Sequence, residues 1–591
     1  MKDFFKNVLA TVVGIILTFV IMGIFGIMGI IGMVASTEQS KNVEDNSVLV
    51  LNMTGTLSER AESNPFSDIM GKVAKSNGLD DILKAIEKAK DNDNIKGIYI
   101  EAGLFSPDSY ASLQAIRRAL SDFKKSGKWI VAYGDSYTQG VYYLASVADK
   151  LYINPQGQID WHGIAAERMY MKDLMAKFGV KMQVTKVGTY KSATEQFTND
   201  KMSDADREQT TAIINGVWKN VVNEVAASRK LTAAKLNSYA DSLITFASTN
   251  DYVKMGLADG VLYNDQVKDA VKKMLKIDAD EEIKQLSIGD MANVKKANMD
   301  RGEKIAVYYA YGDIVDTSLA NAFDNNSVID AQKVCKDLEK IMNDDDIKAV
   351  VFRVNSGGGS AYASEQIWHQ ITLLKKKKPI VVSMGGAAAS GGYYISAPAN
   401  WIVAEPTTLT GSIGIFGMFP DMSGLLTQKL GLKFDYATTN KFSAFGTQAR
   451  PFSAEEMDIL EKYIDRGYKL FRQRVADGRK MTVEQVEKIA QGHVWTGEDA
   501  LKIKLVDQLG GINTAIAKAA SLAGVKEYYT KSYPAPADWT EQLLQTVSNN
   551  NYLDEQMRAS LGEYYEPFYI LRNISNYDAI QARMPYYLTI R

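Results

Sequence analysis

Two short stretches carry residue types that could act together on a carbonyl group. In "TLTGSIGIFG" (408–417), Ser412 stands in a glycine-flanked turn between apolar segments, a place that exposes one hydroxyl. In "RVNSGGGS" (353–360), Gly357, Gly358 and Gly359 follow an apolar run. A glycine-rich turn lets backbone N–H groups point into a cleft without side-chain obstruction. A hydroxyl and an array of amides are the parts of acyl transfer: a nucleophile, and donors for the oxyanion. A serine is a poor nucleophile until a base takes its proton. The chain has three histidines, His162, His369 and His493, and none sits in a recognisable triad context. No group of His or carboxylates has metal-ligand spacing. Lysine remains, and it works as a base once burial lowers its pKa from about 10.4 toward roughly 7–8.

The elements that must position these residues come in two sets. "NIKGIYIEAG" (94–103) matches "DIKAVVFRVN" (346–355), and "KWIVAYGDSYTQGVYYLASVADKLYINP" (128–155) matches "KPIVVSMGGAAASGGYYISAPANWIVAEP" (378–406). "SVLVLNMTGTL" (47–57) corresponds to "KIAVYYAYGDIV" (304–315). The chain is therefore a tandem repeat, joined near residues 295–303. In each copy, short β-rich apolar runs alternate with amphipathic helical segments. That alternation predicts an α/β fold with parallel strands covered by helices. Aligned at an offset of 251, Trp161 falls opposite Ser412 and Gly163 opposite Gly414. The first copy also reads "IEAGLFSPDS" where the second has its glycines. Candidate nucleophile and candidate oxyanion loop thus occur together in the second copy and are both missing from the first. For the base, "KVGTYKSATEQFT" (186–198) aligns roughly with "ATTNKFSAFGTQARPFS" (437–453), which makes Lys191 and Lys441 near-counterparts. The residues alone do not choose between them.

Composition narrows the setting. The 591 residues are 46% hydrophobic and 23% charged, ordinary for a protein with a large core. A net charge of −2 gives no reason to expect nucleic acid as a partner. The single cysteine, Cys335, excludes an intrachain disulfide and reads as a small buried hydrophobe on a helix. An uncharged apolar run from Val8 to Ala35 exceeds the about 20 residues a membrane span needs. Lys2 and Lys6 precede it and a polar, mildly acidic stretch follows. The positive-inside rule then puts the N-terminus in the cytoplasm and the rest of the chain across the membrane. The expected layout is an N-terminal stub, transmembrane anchor and linker over 1–46, a first repeat over 47–302, a second over 303–530, and an aromatic-rich arm over 531–591.

"RVNSGGGSAYASE", "SMGGAAASGGYYISAPA", "TLTGSIGIFG", "VGTYKSATEQFT" and "GHVWTGEDALKIKLVDQLGG" together resemble the signal peptide peptidase A (protease IV) family, in its long, tandem-repeat, membrane-anchored form. The resemblance runs from the N-terminal anchor to about residue 530. It implies two Clp-protease/crotonase-like domains and a Ser/Lys-dyad endopeptidase, held at the plasma membrane with its site on the outer side. The implied substrates are cleaved signal peptides, the implied assembly is a homo-oligomer, typically a tetramer, and the resemblance implies that no metal or cofactor is needed. By motif, Ser412 becomes the nucleophile and Lys191 the general base, with the Ile413 amide and those of Gly358 and Gly359 as oxyanion donors. The family's glycine loop usually carries a proline where this chain has Gly357, which leaves open which amide faces substrate. Lys441 lacks the following Ser-Ala of the catalytic motif and reads as a surface residue. The rival readings are a crotonase-like acyl-CoA enzyme and a membrane scaffold that has lost its activity.

Overall fold

The computed structural model describes residues 42–61, 76–294, 301–317, 327–535 and 579–584, with isolated positions between 6 and 22 and at 557 and 561. The apolar run over 8–35 lies almost wholly outside the described residues. Among those described, no helix is long and apolar enough to cross a membrane. The aromatic-rich stretch over 562–578 also lies outside them.

The first repeat builds a parallel sheet from β1 (Ser47–Ser58), β2 (Ile95–Ser106), β3 (Trp129–Tyr137) and β4 (Lys150–Ile159), adjacent in that order. Helix α1 (Tyr110–Lys124) follows β2 and α2 (Gln139–Ala145) follows β3. The chain then leaves this sheet through β5 (Lys181–Lys186) and enters the long α3 (Asp204–Arg229), whose N-terminus is capped by Ser203 accepting from the Asp206 amide.

The second repeat follows the same plan: β6 (Glu303–Tyr311), β7 (Ile347–Ser356), the short β8 (Gly358–Ser360), α4 (Ala361–Lys375), β9 (Ile380–Ala389), α5 (Gly391–Ser396) and β10 (Leu409–Gly411). Strands β6, β7, β9 and β10 lie side by side and parallel. Both faces of β7 are covered, so its residues from Ala349 to Val354 are all buried rather than alternating. The helix Ala331–Asn343 shows the complementary pattern, burying Val334, Leu338 and Ile341 along one stripe. Cys335 on that helix is half-buried against the second core, and burial raises its thiol to about 11.

A third sheet joins the repeats. Its order is β8, β12 (Ile580–Arg583), β11 (Phe416–Asp421) and β5, with Asp313–Val315 and Val328–Asp330 beyond β8. Strands β5 and β11 run antiparallel from Lys186 opposite Phe416 to Lys181 opposite Asp421. A strand of the first repeat is thereby paired with the chain that has just left Ser412.

Polar contacts fix the two repeats further. Arg353, at 4% exposure, donates to both carboxylate oxygens of Glu59, at 2%, over 2.9 and 3.0 Å. The same guanidinium donates to the Met384 carbonyl and to Ser383 Oγ. Arg118 of the first repeat pairs with Glu405 of the second, and the Thr407 hydroxyl donates to Gln114 Oε1.

Candidate active site

Lys191 reaches the second repeat because the loop after β5 is tied there by its backbone. The Val187 amide donates to the Ile415 carbonyl and the Tyr190 amide to the Gln491 carbonyl, at 3.2 and 2.9 Å. The Lys191 side chain is fully buried. Its Nζ lies 2.8 Å from Ser390 Oγ, 3.0 Å from Ser412 Oγ and 3.0 Å from the Ser412 carbonyl oxygen. All three partners are neutral oxygens, and Ser390 and Ser412 are as buried as the lysine. Burial holds the Lys191 ammonium well below the usual lysine range.

Two serines therefore share one amine. Ser412 has φ +49°, its amide donates to the His493 carbonyl over 2.7 Å, and both its hydroxyl and its carbonyl face Lys191. Ser390 immediately precedes α5 at φ +54° and ψ −113°, a backbone state that costs a non-glycine residue about 1–3 kcal/mol. That state is held by the Ser390 amide donating to Gly411 and by the Tyr394 amide donating to Ser390, each at 2.8 Å.

The glycine run does not remain a loop. After the bend at Gly357, residues Gly358–Ser360 form β8, in register with Ile314 on one side and with β12 on the other. The Gly358 amide donates to Ser356 Oγ at 3.1 Å. Gly359 stands opposite Ala582. The Ala582 carbonyl oxygen sits against two glycines: a Cβ on Gly358 would come within 2.0 Å of it and one on Gly391 within 3.0 Å. A Cβ at Gly358 would collide with that carbonyl, so the carbonyl can lie there only because Gly358 lacks a side chain. Ile413 packs in the second core, and its carbonyl accepts from the Gly492 amide.

The other sequence candidates lie apart from this cluster. Lys441 is exposed, paired with Glu455, and its ammonium sits 5.3 Å from the Phe442 ring. His162 pairs with Asp160 at 2.7 Å and His369 is exposed. His493 meets the site through its backbone, while its ring stacks on Trp495. In the first repeat the corresponding space is filled. Trp161 is fully buried, donates through Nε1 to the Leu236 carbonyl and meets the Tyr142 ring edge-on.

Ser390 is the site residue that sequence reasoning missed. The signal for it was present: at the same offset of 251, Ser390 falls opposite Gln139, so the first copy has lost this hydroxyl as well. Gln139 now accepts from the His162 and Gly163 amides, closing the turn that Trp161 occupies.

The family model for peptidase family S49 matches residues 122–278 and 372–526, one stretch in each repeat. A Clp protease model matches residues 302–402. A protein named Protease 4 from Salmonella typhi is 37% identical over 501 residues, spanning 82% of this chain and 80% of that protein. Protease 4 from Haemophilus influenzae is 33% identical over 83% of this chain and 81% of its own. The chloroplastic serine protease SPPA of Arabidopsis thaliana is 29% identical over 82% of this chain and 70% of its own.

Proposed function

Since the chain belongs to peptidase family S49 and is a serine peptidase, we propose that Ser390 and Lys191 form its catalytic pair and that Ser412 holds the lysine. The observation that carries this reading is the peptide carbonyl of Ala582 lying against Gly358 and against Gly391, the residue that follows Ser390. The glycine-flanked turn and the family resemblance point to Ser412 as nucleophile. The geometry favours the exchange of roles, because the residue after Ser390 borders the carbonyl whereas the residue after Ser412, Ile413, packs in the core.

The valence of the amine agrees. Neutral Lys191 has two N–H bonds and one lone pair. The Ser412 carbonyl can only accept, so it takes one N–H; the Ser412 hydroxyl takes the second. The lone pair is then free for the Ser390 proton, 2.8 Å away. Ser390 Oγ attacks the scissile carbonyl carbon as Lys191 takes its proton. With the Gly358 amide engaged by Ser356 Oγ, the Gly391 and Gly359 amides are the candidate donors to the oxyanion, where losing one costs about 3–4 kcal/mol. Lys191 returns the proton to the leaving amine, and water releases the acyl group by the same steps in reverse.

The substrates are peptides, and within that class cleaved signal peptides are the proposed ones. The support is the apolar run over 8–35, which would hold the site beside the membrane such peptides occupy. On this reading the run is a single-pass anchor, the catalytic repeats lie on its outer side, and the chain assembles as a homotetramer. Side-by-side hydrolysis assays test the pair. Ser390→Ala should abolish cleavage of an apolar signal-peptide core, while Ser412→Ala should retain a measurable rate. A fully active Ser390→Ala would return the nucleophile to Ser412. A preference for charged soluble peptides would overturn the substrate.

A further inference from the structure

One buried amide joins the loop of Lys191 to the second repeat. Gln209, near the start of α3, has no exposed surface. Its Nε2 lies 3.0 Å from the Tyr190 carbonyl oxygen, 3.1 Å from Ser192 Oγ and 3.1 Å from Asp206 Oδ1. Tyr190 and Ser192 are the two chain neighbours of Lys191. Its Oε1 accepts from the Val494 amide of the second repeat at 3.2 Å. The orientation of the side chain is forced, because a backbone carbonyl only accepts and a backbone N–H only donates. Gln209 therefore bonds the base's loop and the second repeat at the same time.

Behind Val494 lies the turn of Ser412. Val494 stands opposite Gly411 in an antiparallel pair, and the carbonyl of the preceding residue, His493, accepts from the Ser412 amide at 2.7 Å. The His493 ring meets those of Tyr190 and Trp495, with centroids 4.4 and 3.9 Å away. Gly492 lies so close to the loop that a Cβ there would come within 2.7 Å of Lys191 Cβ. Gln209 is itself anchored. Asp206, also without exposed surface, accepts from Ser192 Oγ at 2.5 Å and pairs with Arg168. Hydrogen bonds in a low-dielectric interior are stronger than in water, and such a network rigidifies the groups it joins.

The two repeats differ at these positions. Aligned on the N-caps Ser203 and Ser453, α3 matches the helix Ala454–Arg479 at an offset of 250. Gln209 then falls opposite Ile459, which is 47% exposed, and Ser192 opposite Phe442. Glu456, opposite Asp206, pairs with Arg450 instead. In the same frame Lys191 falls opposite Lys441, which is exposed. The copy whose lysine faces no serine pair has thus also lost the amide and the hydroxyl that hold the loop.

We infer that Gln209 is a positioning residue for the reaction: by bonding the Tyr190 carbonyl and the Val494 amide together, it sets the distance from Lys191 to the serines of the second repeat. This rests on the reading of Lys191 as the base, and it holds whichever serine attacks. Gln209 acts through Lys191, so its loss should appear in kcat and leave KM alone.

Gln209→Met keeps the length of the side chain and removes both its donor and its acceptor. Its kcat should fall about 100-fold, the scale of a 1 Å displacement, with KM within about twofold of the intact protein. A displaced Lys191 is also better solvated, so the acid limb of kcat/KM should move to higher pH. Should Gln209→Met fail to fold, Gln209→Glu keeps the acceptor for Val494 and removes the donor for Tyr190, and the same split is expected of it. Melting temperatures read the position of Lys191 without chemistry. The pH dependence that Lys191→Met removes from the intact protein should be smaller in the Gln209→Met background. A lowered melting temperature with undiminished kcat and an unmoved acid limb would overturn the inference, leaving Gln209 a structural role alone. Full activity of Lys191→Met would instead overturn the catalytic reading. The melting temperatures would then decide by themselves, an unchanged pH dependence in the Gln209→Met background counting against the positioning of Lys191.

Discussion

In the proposed pair Lys191 can act as a base only while it is neutral, and burial among three neutral oxygens favours the neutral form. Lowering its pKa means that kcat/KM rises with pH through one ionisation well below the ordinary lysine value of about 10.4. A pH–rate profile checks this, and an acid limb near the ordinary lysine value would contradict it. Stability shares the sign. The unfolded chain binds the Lys191 proton more readily, so the intact protein loses stability relative to Lys191→Met as pH falls through the window from the ordinary to the lowered value. Comparing the melting temperatures of the two proteins across pH isolates that slope. Lys191→Met and Ser390→Ala should each cost about 10⁴-fold or more in kcat, since members of one catalytic unit fail together. Ser412→Ala should cost about 100-fold, the scale of a base displaced by 1 Å. At this scale the sequence was half legible. It showed a hydroxyl flanked by glycines at Ser412 and a lysine in the first copy. It could not show that Ser390, hidden in the small-residue run "AAASGG", faces the same amine, because that meeting spans 199 residues of chain.

Among the elements, the parallel strands and their covering helices were readable from apolar runs and periodicity, as "KAVVFRVN" and "PIVVSMG" illustrate in β7 and β9. The third sheet was not. Strands β8 and β12 are three and four residues long, and β8 is glycine-rich, which depresses every strand signal a sequence offers. Their pairing joins residues 358–360 to 581–583, far apart in the chain. The buried Arg353–Glu59 pair is the element-scale clamp between the repeats. Glu59→Gln leaves the guanidinium uncompensated, for which a loss of about 3–5 kcal/mol is expected. Chemical denaturation would measure it. A change below 1 kcal/mol would mean that the clamp is not bearing on the fold.

At the scale of the whole molecule, two copies of one plan contribute to one proposed reaction centre among the described residues. Repetition was the most legible property of all, because it rests on dozens of matched positions rather than on any one. What the repeats do for each other was less visible, since it depends on how their surfaces dock. Separating the chain near residue 300 gives a direct measure. Residues 303–591 alone should hydrolyse nothing, lacking Lys191. Co-expression with a fragment ending near residue 294 should restore activity, in proportion to the amount of complex recovered. Activity in the isolated second half would remove Lys191 from the mechanism.

That division also imposes an order in time on biosynthesis. Lys191 leaves the ribosome 199 residues ahead of Ser390. At about 5–20 residues per second the interval is roughly 10–40 s, and docking of the halves must follow. Throughout that interval the emerging chain holds a base with nothing to activate. On the proposed pairing, the nascent peptidase is thus inactive until both halves are made and docked.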